Sequence, residues 1–275
     1  MVLTSRSGRI ARDGQGLAAQ LERLEASGTP VESLPCDVGH WQEALAMLHG
    51  MRSAASTSQG VLHAAGLGDK GMVEQVRPWR VGLMFAPKAM GAWHVHCASS
   101  LTPLEALMAF SSIASAFGNV GQANYAAGNA SLDACALGRS ASGLAAGSLQ
   151  LPLVKDAGMG EALLDSLQMT YRGMNAMSLD QYAACVAMQL AATRGIFGCG
   201  AHVPLPARGL LQNVPSATQP LFIELVGARP SVAQVAAASV TTVGPTVTSP
   251  LGTQLLAMAP SKREGHVEGL SVAAV

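Results

Sequence analysis

Compact apolar runs alternate with longer amphipathic stretches through roughly the first 205 residues of this chain, and few architectures accommodate that rhythm. Residues 2–4 make a short strand-like start, and the polar, glycine-containing SRSGRIARDGQG leads into a helix with Leu17, Leu21 and Leu24 on one face. Residues 31–36 read as a second strand, Trp41, Leu45 and Leu48 mark a second helix, and GVLHAA at 60–65 is a compact buried strand. A helix around 84–97, a strand at 107–111, a helix from about 123 to 137 and a strand at 146–151 continue the series. Repetition of strand, crossover helix and strand predicts an α/β fold, a doubly wound parallel sheet with helices on both faces. Such sheets take ligands at the carboxyl ends of their strands. Arg6, Asp37, Gly66 and Ser112 stand at those ends.

Charge narrows the partners. With 17 basic and 17 acidic residues in 275, the chain carries no electrostatic footprint for nucleic acid or for an anionic membrane. No apolar run approaches the ~20 residues that span a bilayer. Cys36, Cys97, Cys135, Cys185 and Cys199 show no CxxC spacing, which predicts neither a disulfide frame nor a zinc site and fits a reducing, cytoplasmic setting. The opening MVLTSRSGRIAR has the Arg and Ser content of an organelle transit peptide, but it serves better as a strand and turn. From about residue 206 the composition shifts to Ala, Val, Thr, Ser and Pro, so 206–260 is expected to be a linker. Residues 261–275 regain charge and place Val267, Leu270 and Ala274 at helical spacing.

Several motifs point to chemistry that their context does not support. GLGDKG at 66–71 matches a phosphate-loop pattern after a strand, but a clear helix onset is missing, and an active-site turn is the better expectation. DSL around Ser166 resembles a phosphopantetheine site without the preceding helix, and His94 and His96 diverge on a helix with no third metal ligand. A hydrolase pairing Ser112 with His63 would lack a GxSxG elbow and an oriented acid.

The segment that carries chemistry is FSSIASAFGNVGQANYAAGN at 110–129. Ser112 ends an apolar strand with its hydroxyl toward the crevice, while Tyr125 and Asn129 are four apart in a helix-prone run and share a face. A tyrosine near a serine hydroxyl can protonate a carbonyl oxygen when a cation stabilises its phenolate. The sequence has four lysines, and Lys88, in APKAMGAW, is the natural candidate for that cation. Spacing alone equally allows Tyr125 and Lys88 to be ordinary helix-surface residues.

Taken in order, HAAG, APKAMGAWHVH and FSSIASAFGNVGQANYAAGNASLDA closely resemble the ketoreductase domains of modular polyketide synthases and type I fatty-acid synthases, a branch of the short-chain dehydrogenase/reductase superfamily. The resemblance implies a Rossmann-like sheet over 1–205 and a tetrad of Lys88, Ser112, Tyr125 and Asn129. Tyr125 would donate the proton, Ser112 would bind the substrate carbonyl, Lys88 would stabilise the transition state and Asn129 would hold Lys88. It also implies NADPH, with Arg6 at the 2′-phosphate, Asp37 at the adenine, and Ala65 and Gly66 along the cofactor. The implied substrate is a β-ketoacyl chain on the phosphopantetheine of an acyl-carrier domain, whose opening helix 261–275 resembles, within a larger synthase. A non-catalytic structural or docking remnant of such a synthase is the alternative.

The sequence also departs from that family. The family's first strand and glycine-rich turn have no counterpart here, so two strand edges, those of 2–4 and 60–65, are expected to lack the partner that would lie between them, and NADPH binding to be weak. Those departures read as an incomplete reductase. Gly68, Asp69 and Lys70 stand where one stereochemical class has LDD, Phe117 where the other has tryptophan, and LPLV at 151–154 where a WGxW is usual. Alcohol configuration is not specified by these residues.

Overall fold

The structure, a computed structural model, describes residues 1–9, 16–53, 60–100, 104–155, 176–193 and 201–202. The expected linker, the 261–275 helix and Ser166 lie outside the described residues. Strands and helices alternate as β1 (Val2–Ser5), α1 (Leu17–Ala26), β2 (Glu32–Pro35), α2 (Trp41–Ser53) and β3 (Gly60–His63). There follow a 3-10 turn (Val73–Gln75), α3 (Pro78–Phe85), a π turn (Ala86–Met90) and α4 (Gly91–Ser99). The remaining elements are β4 (Ala106–Ser112), α5 (Ala114–Phe117), α6 (Ala123–Ala141), β5 (Gly147–Leu151), α7 (Leu179–Thr193) and β6 (Ala201–His202).

Every strand pairing between these elements is parallel, as the βαβ rhythm predicts. One sheet has the order β3-β4-β5-β6; β1 and β2 form a second. The two strands expected to lack a partner between them, β1 and β3, are not paired with each other among the described residues. Register sets His63 beside Ala109, and Ser112 beside Leu151. Ala65 and Gly66 therefore lie in the loop beyond β3 rather than at the end of a longer strand.

The core sits under the larger sheet. Leu48 of α2, Val95 and Ala98 of α4, Leu107 of β4 and Ala136 of α6 pack in one cluster, and Ala92, Ala109 and Leu132 in a second. Each leucine so buried contributes about 2 kcal/mol of transfer free energy. At its carboxyl end α6 is tied to α4, where Arg139 donates to His96 Nδ1 at 2.8 Å and to Ser99 Oγ at 3.3 Å.

The helix expected around 84–97 begins earlier, at Pro78, which occupies the first helical position, where its missing N–H costs nothing. Lys88 is thus not at a helix head. It lies mid-rod, in the π turn, where Pro87 interrupts the i→i−4 ladder and its ring would otherwise crowd the carbonyl four residues back.

Candidate active site

Three elements meet around Lys88. The π turn delivers the lysine, α6 presents Tyr125, Asn129 and Asp133 on successive turns of one face, and β4 ends at Ser112. Lys88 is 3% exposed and Asn129 0%. Lys88 Nζ donates to Asn129 Oδ1 at 2.9 Å, and Asn129 Nδ2 donates to the Tyr125 carbonyl at 2.9 Å. Lys88 Nζ also stands 5.4 Å from the centroid of the half-buried Tyr125 ring. Two glycines make room for this approach. A Cβ on Gly128 would come within 3.2 Å of Met84 and 3.3 Å of the Lys88 stem, and one on Gly66 within 2.9 Å of Lys88 Nζ.

Burial pushes the Lys88 ammonium down from the usual lysine range to about 8, an effect that the charge of Asp133 partly opposes. His63, 4% exposed at the end of β3, is lowered to about 4, first by burial and then by Lys88. The main chain of Lys88 and Pro87 opposes that shift, and among the described residues Nε2 has no hydrogen-bond partner. His63 therefore serves the π turn and makes no contact with Ser112 of the kind a hydrolase needs. Ser112 Oγ accepts from the Ala114 amide at 3.2 Å, and its carbonyl accepts from Ser115 Oγ at 2.8 Å.

The remaining site candidates line the strand ends. The Cys36 amide donates to the Ser5 carbonyl at 2.8 Å, so Arg6, exposed, and Asp37, half-buried, leave adjacent ends of β1 and β2. Asp37 Oδ1 accepts from the Gly39 amide at 2.9 Å. His94 Nδ1 bonds the Val38 carbonyl at 2.9 Å, which draws this loop onto the helix that carries Lys88. Ala65 and Gly66 follow β3, with Gly66 against the lysine. Carboxyl ends from both sheets thus border the Lys88 turn, and the missing side chain at Gly66 is what admits the Lys88 ammonium there.

GLGDKG is not the start of a helix. The Gly71 amide donates to the Gly121 carbonyl at 2.8 Å, and the Asp69 carboxylate pairs with Arg80 while accepting from Asn124 Nδ2 at 2.7 Å. That clamp fixes the loop after β3 to the residue preceding Tyr125. The pairing joins residues far apart in sequence, so spacing gave no sign of it. A second cluster, Asp133 with Ser115, Ser148 and Gln150, also escaped the sequence reading. Its signal was the polar pair in SLQL, within the strand read at 146–151. Among the described residues no His, Cys, Asp and Glu group could hold a metal, and His94 and His96 are engaged by Val38 and Arg139. No helix among the described residues is long and apolar enough to cross a membrane.

Comparison with known proteins agrees with this geometry. A family model described as the KR domain matches residues 1–156. Polyketide synthase GfsA of Streptomyces halstedii is 41% identical over 186 residues, which is 66% of this chain and 2% of that protein. Mycoketide-CoA synthase of Mycobacterium tuberculosis is 35% identical over 236 residues, 83% of this chain and 5% of that protein. A structure of A-type ketoreductases from a modular polyketide synthase superposes with a TM-score of 0.67 at 28% identity, covering 81% of this chain and 47% of that one. The chain thus spans a small part of its curated relatives and about half of that solved ketoreductase. It belongs to the KR domain family, the ketoreductase domains of modular polyketide synthases within the short-chain dehydrogenase/reductase superfamily.

Proposed function

We propose that the chain supplies the catalytic half-site of an NADPH-dependent reductase that converts a carrier-tethered β-ketoacyl thioester to the β-hydroxyacyl thioester. The observation that carries this reading is the buried Lys88 ammonium, held 2.9 Å from Asn129 Oδ1 and over the Tyr125 ring. The Tyr125 hydroxyl donates its proton to the ketone oxygen as negative charge develops there, and the Ser112 hydroxyl donates a hydrogen bond to the same oxygen. Lys88 lowers the energy of the phenolate so formed, an electrostatic contribution made mostly in the transition state. Asn129 keeps the Lys88 ammonium in register with the tyrosine, and solvent returns the proton to the phenolate. NADPH, when bound, supplies the hydride for the carbonyl carbon. Arg6 would take its 2′-phosphate, Asp37 its adenine, and Ala65 and Gly66 would pack along its length. The carbonyl would arrive on the phosphopantetheine arm of an acyl-carrier domain, in a cytoplasmic synthase with other modules. Division into a reductase over 1–205, a linker over 206–260 and the start of a carrier domain over 261–275 belongs to the same proposal.

The test is NADPH oxidation with a β-ketoacyl thioester mimic. It compares this chain, the chain fused to a strand and glycine-rich turn from a related ketoreductase, and Tyr125→Phe in both. The fused form should turn over, and Tyr125→Phe should cut its rate by a factor of about 10² or more. If the folded fusion neither binds NADPH nor reduces the mimic, the reductase reading fails and a non-catalytic remnant of a synthase takes its place.

A further inference from the structure

Behind the tetrad lies a second buried polar cluster to which no catalytic step has been assigned. Asp133 follows Asn129 by one turn on the same face of α6 and is 8% exposed. Its carboxylate accepts from Ser148 Oγ at 2.5 Å, from Ser115 Oγ at 2.6 Å and from Gln150 Nε2 at 2.8 Å. Ser148 and Gln150 belong to β5, and Ser115 sits in α5, just past the end of β4. The single proton of the Ser115 hydroxyl is shared with the carbonyl of Ser112, 2.8 Å away, the residue that is to bind the substrate oxygen. Ser111, next to it, donates to the Asn129 carbonyl at 3.3 Å. Burying a carboxylate costs several kcal/mol unless hydrogen bonds and a charge partner compensate, so a scaffold role alone would be served more cheaply by an apolar side chain.

We infer that Asp133 is a positioning residue of the reductase centre, gathering the ends of β4 and β5 onto α6 and standing as the buried counter-charge to the Lys88 ammonium. The inference rests on the reading of Lys88 as the working cation and adds the group that keeps it charged. The titratable groups facing Lys88 are Tyr125 and Asp133 from α6 and His63 from β3. Of these Asp133 alone opposes the loss of charge that burial imposes on the lysine, while His63 stays neutral above about pH 4. With Asp133 neutralised, Lys88 should release its proton at lower pH, and fewer molecules would hold the cation near neutrality.

The test reads the lysine directly. In protein labelled with [13C]lysine, the Lys88 Cε resonance, assigned by its loss in Lys88→Met, is followed against pH in wild type, Asp133→Asn and Ser148→Ala. Asp133→Asn should move the Lys88 midpoint to lower pH by at least about half a unit. Ser148→Ala, which removes one hydrogen bond and keeps the charge, should leave the midpoint in place. If Asp133→Asn does not fold, the double variant Asp133→Asn, Ser148→Ala carries the same measurement, because its amide then faces fewer donors. An unmoved midpoint in a folded variant lacking the Asp133 charge overturns the proposal and leaves Asp133 a structural residue. Because the resonance is read without cofactor or substrate, this result stands apart from the NADPH assay, which tests the reductase reading itself.

Discussion

No residue of β1 or β2 is buried, whereas β4 and β5 are buried along most of their length. The helices repeat the contrast: α1 has no buried residue, although Leu17, Leu21 and Leu24 share a face, and α6 buries Leu132, Asp133 and Ala136 along with Asn129. Both regions follow the same strand–helix rhythm. They differ because a parallel strand is buried by its neighbours: β4 has β3 and β5 beside it and α6 and α7 against it, while among the described residues β1 pairs with β2 alone. The chemistry-bearing residues are concentrated in the well-covered region, and the residues proposed for the adenosine end of the cofactor in the thin one. Proton transfer needs groups held to within tenths of an ångström, which packing supplies, and the cofactor end can complete its order on binding.

Amide hydrogen exchange tests that contrast most strongly. The amides of Met108 and Leu149 should exchange at least about 10³-fold more slowly than those of Leu3 and Ser33, since the latter open without unfolding the core. Similar rates in the two sheets would show a single cooperative unit. Next in size, Leu132→Ala, at a fully buried site, should cost about 2–5 kcal/mol by urea denaturation. Leu17→Ala, at a position 43% exposed, should change stability by less than about 0.5 kcal/mol.

Acidification separates the regions by sign. The folded-state value of His63 is depressed, so the unfolded chain takes up its proton first, near pH 6.5, and stability is lost as pH falls toward about 4. That loss should reach about 3 kcal/mol at full extent and be absent from His63→Asn, measured by urea midpoints between pH 7 and 4. His40, exposed in the loop before α2, is raised chiefly by its hydrogen bond to Glu43. Its contribution is therefore present at low pH and fades as pH rises through its folded value. His40→Ala should make the smallest change of the set and act in the opposite direction to His63.

Much of this architecture was legible beforehand because its signals are local. The βαβ series needs only runs of apolar residues, and Tyr125 and Asn129 need only helical spacing. Lys88 was a candidate from the small number of lysines, and the family resemblance gave it a place beside them, since the two segments are joined only by folding. The helix read around 84–97 missed its first turns: a proline normally marks a boundary, and the wider π turn lets the rod run on through Pro87 from Pro78 to Ser99. The Asp133 cluster stayed hidden for a different reason. Ser115, Ser148 and Gln150 come together through strand register and the fold of α5, which no periodicity encodes.

The π turn also sets how this protein can change its length. An α-helix advances about 100° per residue, so losing one residue between Ala86 and Met90 would rotate everything beyond it by that angle relative to α3. Val95 and Ala98 would swing out of the core as Lys88 swung away from Asn129. Substitutions here can be absorbed one side chain at a time, but an insertion or deletion strikes core and candidate site together.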